Sequence, residues 1–396
     1  MSEGHPVIER LHVENYRVLR NVTFDQLTPL TVYFGPNGSG KSTVFDVFAF
    51  LNSAVSQGLR KACDDRNGIG QIRSKGSAGP VVIELKYRQA KGERLITYHV
   101  EIGDRAGRPV VEMERLAWST APGSGRPKDI VRFKNGEGTV YDDTDGTSRP
   151  EKLEAPDWLA VSALGQLRRH PNVVELRRFI TGWYLSYVSA EQTRTTPAVG
   201  PAEQLSRSGD NLPNVLQYLQ ENDPDRLERV FAALRDRVPQ LESLSASPLP
   251  DGRLMLQLKD RPFAEPVLSR FASDGTLKLL AYLAVLYGAD LPAIIGIEEP
   301  ENQLHPKLLA PLASELRRAA ADSQVFVTTH SPYLLDEMQP DEVWLLNRGN
   351  DGFTRTTRAS SVEQILHMLN AGAKLGDLWM EGYFPGASPF ASPATR

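Results

Sequence analysis

The stretch Gly35-Pro36-Asn37-Gly38-Ser39-Gly40-Lys41-Ser42 constrains this chain more than any other. It lies between the apolar run Leu30-Thr31-Val32-Tyr33-Phe34 and a periodic segment carrying Val44, Phe45, Val47, Phe48, Phe50 and Leu51. The order reads as strand, glycine-rich loop, helix. This glycine spacing lets a backbone almost free of side chains curl around phosphate oxygens, so that successive N–H groups and the positive helix end meet the anion. Lys41 is placed to reach the β- and γ-phosphates and Ser42 to hold Mg²⁺, with Asn37, Gly38, Ser39, Gly40 and Thr43 forming the rest of the cradle. The expected ligands are ATP and Mg²⁺.

Composition sets the bounds within which that loop works. At 396 residues with 40% hydrophobic content, the chain can bury one large α/β core or two smaller ones. A formal charge of −4 excludes a wholly basic nucleic-acid binder but leaves room for a local basic face. The lone cysteine, Cys63, excludes an internal disulfide framework and a cysteine-rich zinc site, and fits a reducing cytoplasm. The first residues include Glu3, His5 and Glu9 with no long apolar core, which argues against a signal peptide. The longest apolar tract, 279–297, is broken by Gly288, Asp290 and Pro292, so it reads as helix, turn and buried strand, and no membrane partner is expected.

Along the chain, residues 8–13 and 22–24 alternate as short strands around Asn15-Tyr16-Arg17. Arg17 is either a phosphate contact or a solvated arginine. A helix is expected over 42–55, then a mobile polar loop over 64–79. Strands at 81–85, 95–100, 110–116 and 130–133 form an antiparallel meander, ended by a polar loop at 142–149. The apolar run 158–164 reads as a strand leading to Gln166, which either binds the metal or the attacking water or is an incidental surface residue. Helical periodicity follows at 173–183 and 212–234, without the sustained heptads of a coiled-coil arm.

Two more groups carry chemistry. Ser273, Asp274 and Gly275 stand at the start of an apolar helix, as an N-cap or, taken with Lys41, as a second phosphate-binding surface. The strand 293–297 runs into Glu298-Glu299, where an open α/β sheet places its ligand site. Neighbouring strand residues face opposite ways, so Glu298 suits the metal and Glu299 the water that attacks the γ-phosphate; the alternative is a pair of solvated acids. After a helix at 308–320, the strand 325–329 ends at His330, a sensor of the γ-phosphate or a structural histidine. A strand at 342–346, a helix at 362–369 and a frayed tail from residue 382 close the reading.

Five pieces in this order, Asn15-Tyr16-Arg17, the phosphate loop, Ser273-Asp274-Gly275-Thr276, Glu298-Glu299-Pro300-Glu301-Asn302-Gln303-Leu304-His305-Pro306 and Thr328-Thr329-His330-Ser331, resemble the AAA-type ATPases with an ABC head, relatives of RecF, SMC heads and the OLD-family ATPases. The resemblance covers roughly residues 6–55 and 250–350. It implies an α/β fold of the ABC-type P-loop head, with a mixed or parallel core sheet, a β-meander insertion and a helical lobe. The implied division is 1–160 as N-terminal lobe, 161–250 as helical lid and 251–396 as C-terminal lobe. It also implies a homodimer with ATP sandwiched between protomers, in which Ser273 and Gly275 of one copy touch the γ-phosphate held by the other. Residues 302–305 would correspond to the D-loop at the dimer seam, and Gln166 to the Q-loop glutamine. Glu298 stands where transporters carry Asp, and the signature reads Ser-Asp-Gly-Thr; both match the OLD-like branch. Fewer than seventy residues follow His330, so a nuclease domain there is not expected.

These observations lead to an ATP-hydrolysing switch in DNA repair or defence against foreign DNA, with a separately encoded effector and DNA as candidate partners. Arg168, Arg169, His170, Arg177 and Arg178 form a basic strip that could meet phosphates or serve only as a solvated helix face. The alternative is a nucleotide-gated dimerising module with negligible turnover. The signature and the meander disfavour a transporter subunit.

Overall fold

The computed structural model describes residues 5–90, 92–119, 127–142 and 145–384. The chain divides into two compact units, Met1–Trp183 with Gln339–Arg396, and Tyr184–Met338. The 161–250 segment is therefore shared between them. The tail expected from residue 382 lies, from residue 385 onward, outside the described residues.

The first unit carries an eight-stranded antiparallel sheet in the order Leu19–Asp25, Val7–Tyr16, Val81–Arg88, Ile96–Arg105, Arg108–Trp118, Lys128–Lys134, Glu137–Tyr141 and Ser148–Lys152. The meander is thus longer than its apolar runs suggest, and it continues past the polar segment 142–149. Alternation explains the inner strands: Ile83, Leu85 and Tyr87 point inward while Glu84 and Lys86 are half-exposed. Leu30–Phe34, buried at every position, runs parallel to Val343–Arg348, which pairs antiparallel with Thr354–Arg358. The helix Lys41–Gln57 packs through Phe48 onto Trp183 and through Phe50 onto Tyr16, both edge to face.

Two expectations fail in this unit. Residues 64–79 are a tethered segment, with Ile69–Ile72 helical and Ile69 and Ile72 buried. Ser74 N donates to Asn15 O at 2.9 Å, Arg17 N to Ile72 O at 2.6 Å and Ser77 Oγ to Asn15 Oδ1 at 2.7 Å. The polar composition of this stretch hides two apolar anchors. Second, Ala160–Leu164 is a short helix and not a strand. Its start is capped by a carboxylate from the meander: Glu114 accepts from Val161 N at 2.9 Å, from Ala160 N and from Tyr98 Oη at 3.0 Å.

Burial pushes the Glu114 carboxyl up to about 7, against the three donors that lower it. An unfolded glutamate ionises near 4.5, so the folded state holds this proton longer. Stability from this group is complete below about pH 4.5 and is lost as pH rises through about 7. Relative to a Glu114→Gln variant, the wild type should lose on the order of 3 kcal/mol over that window, measured by urea unfolding at stepped pH.

In the second unit, Tyr184–Ser186, Ile294–Glu298 and Gln324–Thr329 pair in parallel. Leu241–Pro248, Leu254–Asp260 and Val267–Leu268 form a separate three-stranded antiparallel sheet. The periodicity at 212–234 resolves into two helices, Leu212–Asn222 and Pro224–Arg235. Asp223 separates them, and its side chain caps the second by accepting from Arg226 N at 3.1 Å. Among the described residues no helix is long and apolar enough to cross a membrane.

Candidate nucleotide site

The residues expected to carry the chemistry fall into two groups, one in each unit. In the first, the buried strand Leu30–Phe34 delivers the chain into the loop and the helix starts at Lys41. Gly35 is required by close approach: a Cβ there would lie 2.1 Å from Leu346 O on the neighbouring strand. Gly40 has φ +108°, and a Cβ would meet Thr354 Oγ1 at 2.4 Å. Thr354 is buried and donates through Oγ1 to Ser39 O at 2.8 Å, bracing the loop from the strand Thr354–Arg358. Nothing in the sequence near Thr354 signals this, because its partner lies 315 residues away.

Lys41, only 4% exposed, folds over the loop and donates to Gly35 O at 2.8 Å and Pro36 O at 3.2 Å. Ser39 Oγ is buried without a hydrogen-bond partner. The helix has no side-chain cap and no acid in its first turn. Its first amides therefore have no competing side-chain acceptor at the N-cap, and the dipole is not offset locally. Asn37, Gly38 and Ser42 are exposed, and Thr43 is half-buried. A triphosphate fits this chemistry, and the exposed hydroxyl of Ser42 is a hard oxygen of the kind Mg²⁺ takes.

Arg17 sits in the left-handed region at φ +48° and pairs through Nη1 with Asp46 Oδ2 at 2.9 Å. Tyr16 Oη donates to the same oxygen at 2.7 Å, and Arg66 Nε to Asp46 Oδ1 at 2.8 Å. Burial and Asp46 hold the Tyr16 phenol well above its ordinary range. Arg17 is thus committed to an acid on the phosphate-loop helix, a partner the sequence reading did not find.

Gln166 is not brought to Ser42. It follows the helix Ala160–Leu164, donates to Ser162 O at 3.1 Å and lines a cleft with Ser56, Gln57 and Trp158. Ser56 and Gln57 close the phosphate-loop helix, roughly 21 Å along its axis from Ser42. Reading 158–164 as a strand placed this glutamine at a strand end; a short apolar run does not distinguish strand from helix.

In the second unit, Glu298 ends the strand Ile294–Glu298 beside Thr328. Glu299 turns the chain at φ +42°, a conformation that costs about 1–3 kcal/mol for a residue with a side chain. Its N–H donates to Thr328 O at 2.9 Å, while Oε2 accepts from Asn302 Nδ2 at 2.9 Å and Oε1 lies 3.4 Å from His330 Nδ1. Glu301, 8% exposed, accepts from Thr329 Oγ1 at 2.7 Å and His330 N at 2.9 Å, both on Oε1; its Oε2 is buried without a partner. His330 Nδ1 also lies 3.3 Å from Glu301 Oε1. Glu299 and His330, named separately from sequence, are brought together; Glu301, the third acid of the run, holds His330 and Thr329.

Ser273 is the N-cap of the helix Asp274–Leu286, its Oγ accepting from Thr276 N at 3.1 Å. Arg194 pairs with Asp274 at 2.5 Å and donates to Ala272 O. Gly275 lies against the 299–303 turn, where a Cβ would come within 2.8 Å of Gln303 O. On the same helix Lys278, 4% exposed, donates to Glu299 O at 3.2 Å and Asn302 O at 3.1 Å. Burial lowers its ammonium to about 8, against Glu301 and Glu299, which raise it. A single lysine among leucines was the available signal for this contact.

The fold is that of P-loop ATPase heads of the ABC and SMC type. Residues 30–336 match the family described as "AAA domain, putative AbiEii toxin, Type IV TA system", and the chain belongs to it. One similar solved structure is an SMC head with an extended coiled coil bound to the C-terminal domain of ScpA derived from Pyrococcus furiosus, at TM-score 0.50 and 13% identity, covering 92% of this chain and 100% of that one. The SMC head domain from Thermotoga maritima aligns at TM-score 0.48 and 13% identity, over 89% and 98%. An SMC head bound to the C-winged helix domain of ScpA aligns at 0.49 and 15%, over 88% and 96%. At such identities the likeness concerns the fold alone. No curated protein matches the chain.

Proposed function

We propose that the chain is an ATP-hydrolysing switch that works as a homodimer. Lys41 and the loop amides neutralise the β- and γ-phosphates, Ser42 and Glu298 hold Mg²⁺, and Glu299 accepts the proton of the attacking water. When bound, the metal supplies charge neutralisation at the phosphate oxygens. His330 hydrogen-bonds the γ-phosphate, and Ser273 and Gly275 of a second copy close over it. The observation that carries this reading is the Glu299, Glu301 and His330 cluster, a carboxylate held on two sides in a chain that also has an uncapped phosphate loop. A role in DNA repair or in defence against foreign DNA, with DNA and a separate effector as partners, belongs to the same proposal; the family's description names a putative AbiEii toxin of a Type IV TA system. Hydrolysis would release the dimer.

Light scattering with a non-hydrolysable ATP analogue and Mg²⁺ tests it. The wild type should double in mass, while Lys41→Ala should stay monomeric. A wild-type mass unchanged by nucleotide overturns the sandwich.

A further inference from the structure

We propose that Lys278 is a positioning residue that fastens the helix Asp274–Leu286 to the turn carrying Glu299, so that the Ser273 end of that helix and the Glu299 carboxylate move as one body. Its consequence for turnover rests on the hydrolytic reading above; the fastening itself does not.

Three residues join the helix to the turn, Asp274, Gly275 and Lys278, and Lys278 is the buried one. Its ammonium donates to Glu299 O and Asn302 O, the two ends of the 299–302 turn. Asn302 N donates to the same Glu299 O at 3.2 Å, so the amine reinforces the hydrogen bond that closes the turn. One turn of helix away, Gly275 lies against Gln303 O, and Gln303 Nε2 reaches Asp274 Oδ2 at 3.4 Å. Glu299 and Gln303 both have positive φ, at +42° and +68°. A backbone held in such conformations relaxes unless its surroundings fix it, and the buried ammonium supplies that restraint. An apolar side chain would fill the volume without donating, and the carbonyl of Asn302 would lose this donor.

Lys278 touches no reacting atom in this arrangement. It acts through the backbone of Glu299, whose carboxylate is aimed by Asn302 and His330. A displacement at the Ser273 helix end would therefore reach Glu299 through Lys278 and the Gln303 contacts.

Lys278→Met and Lys278→Arg, made in the full chain, test the assignment by two readouts. Amide hydrogen exchange over residues 299–304 should quicken about tenfold or more in Lys278→Met, with Lys278→Arg closer to wild type and the thermal unfolding midpoint of each checked. ATP turnover in Lys278→Met should fall at least about tenfold with nucleotide affinity within about twofold, and Lys278→Arg should recover part of the rate. Unchanged exchange at 299–304 in Lys278→Met overturns the proposal, as does an undiminished turnover in Lys278→Met beside a wild type that hydrolyses ATP. A wild type that releases no phosphate, together with quickened exchange in the variant, supports the fastening and sinks the hydrolytic reading instead.

Discussion

Glu299→Gln should lower phosphate release by about 10²- to 10⁴-fold while leaving ATP affinity nearly unchanged. The amide is isosteric and retains a carbonyl oxygen for Asn302 Nδ2, so the turn at φ +42° need not relax. What is removed is the capacity to accept a proton from water. His330 Nδ1, 3.4 Å from the carboxylate, loses one of its two acidic neighbours and keeps Glu301. Single-turnover phosphate release beside fluorescent-ATP binding separates the two effects. A variant that hydrolyses at the wild-type rate would remove Glu299 from the chemistry, and a wild type with no release to abolish would favour a nucleotide-gated module.

Gly35→Ala should destabilise the fold by about 3 kcal/mol or more, read as a fall in the urea midpoint. The new methyl would sit 2.1 Å from Leu346 O and 2.9 Å from Ser39 Oγ. The first neighbour is backbone in a strand paired to Leu30–Phe34, so no side-chain rotation relieves the clash and the strands must separate. Gly38→Ala is the contrast. Gly38 has φ +78° but nothing within 4 Å of its added Cβ, so only backbone strain remains, at about 1 kcal/mol. A loss in Gly35→Ala no larger than in Gly38→Ala would show that the neighbouring strand yields to the methyl and that its proximity does not select glycine at position 35.

The parts of the fold and site that were legible are those written locally. The phosphate loop is a run of eight residues whose glycines specify their own backbone, and the Glu298-Glu299 pair follows an apolar strand directly. Ser273 announces itself as an N-cap because its partner, Thr276 N, is three residues on. What stayed hidden depends on partners distant in sequence. Thr354 braces Ser39, Asp46 captures Arg17, and Glu114 starts a helix 46 residues downstream that periodicity alone reads as a strand. Residues 64–79 misled for a related reason: two isoleucines among polar neighbours make no period, yet they and the Asn15 contacts tie the segment down. Lys278 is the intermediate case. Its isolation in an apolar helix is visible in the sequence, but the two carbonyls it serves belong to another element.

The ion pair between Arg17 and Asp46 makes nucleotide recognition by that arginine an exchange of partners. Were its guanidinium to turn toward a phosphate, Asp46 would be left to Tyr16 and Arg66, and the free energy gained would be the difference between two attachments. Because Ile72 O and Ser74 Oγ grip the backbone of Arg17, that trade would be felt in the 69–74 segment, making those residues a place to watch for a ligand that never touches them.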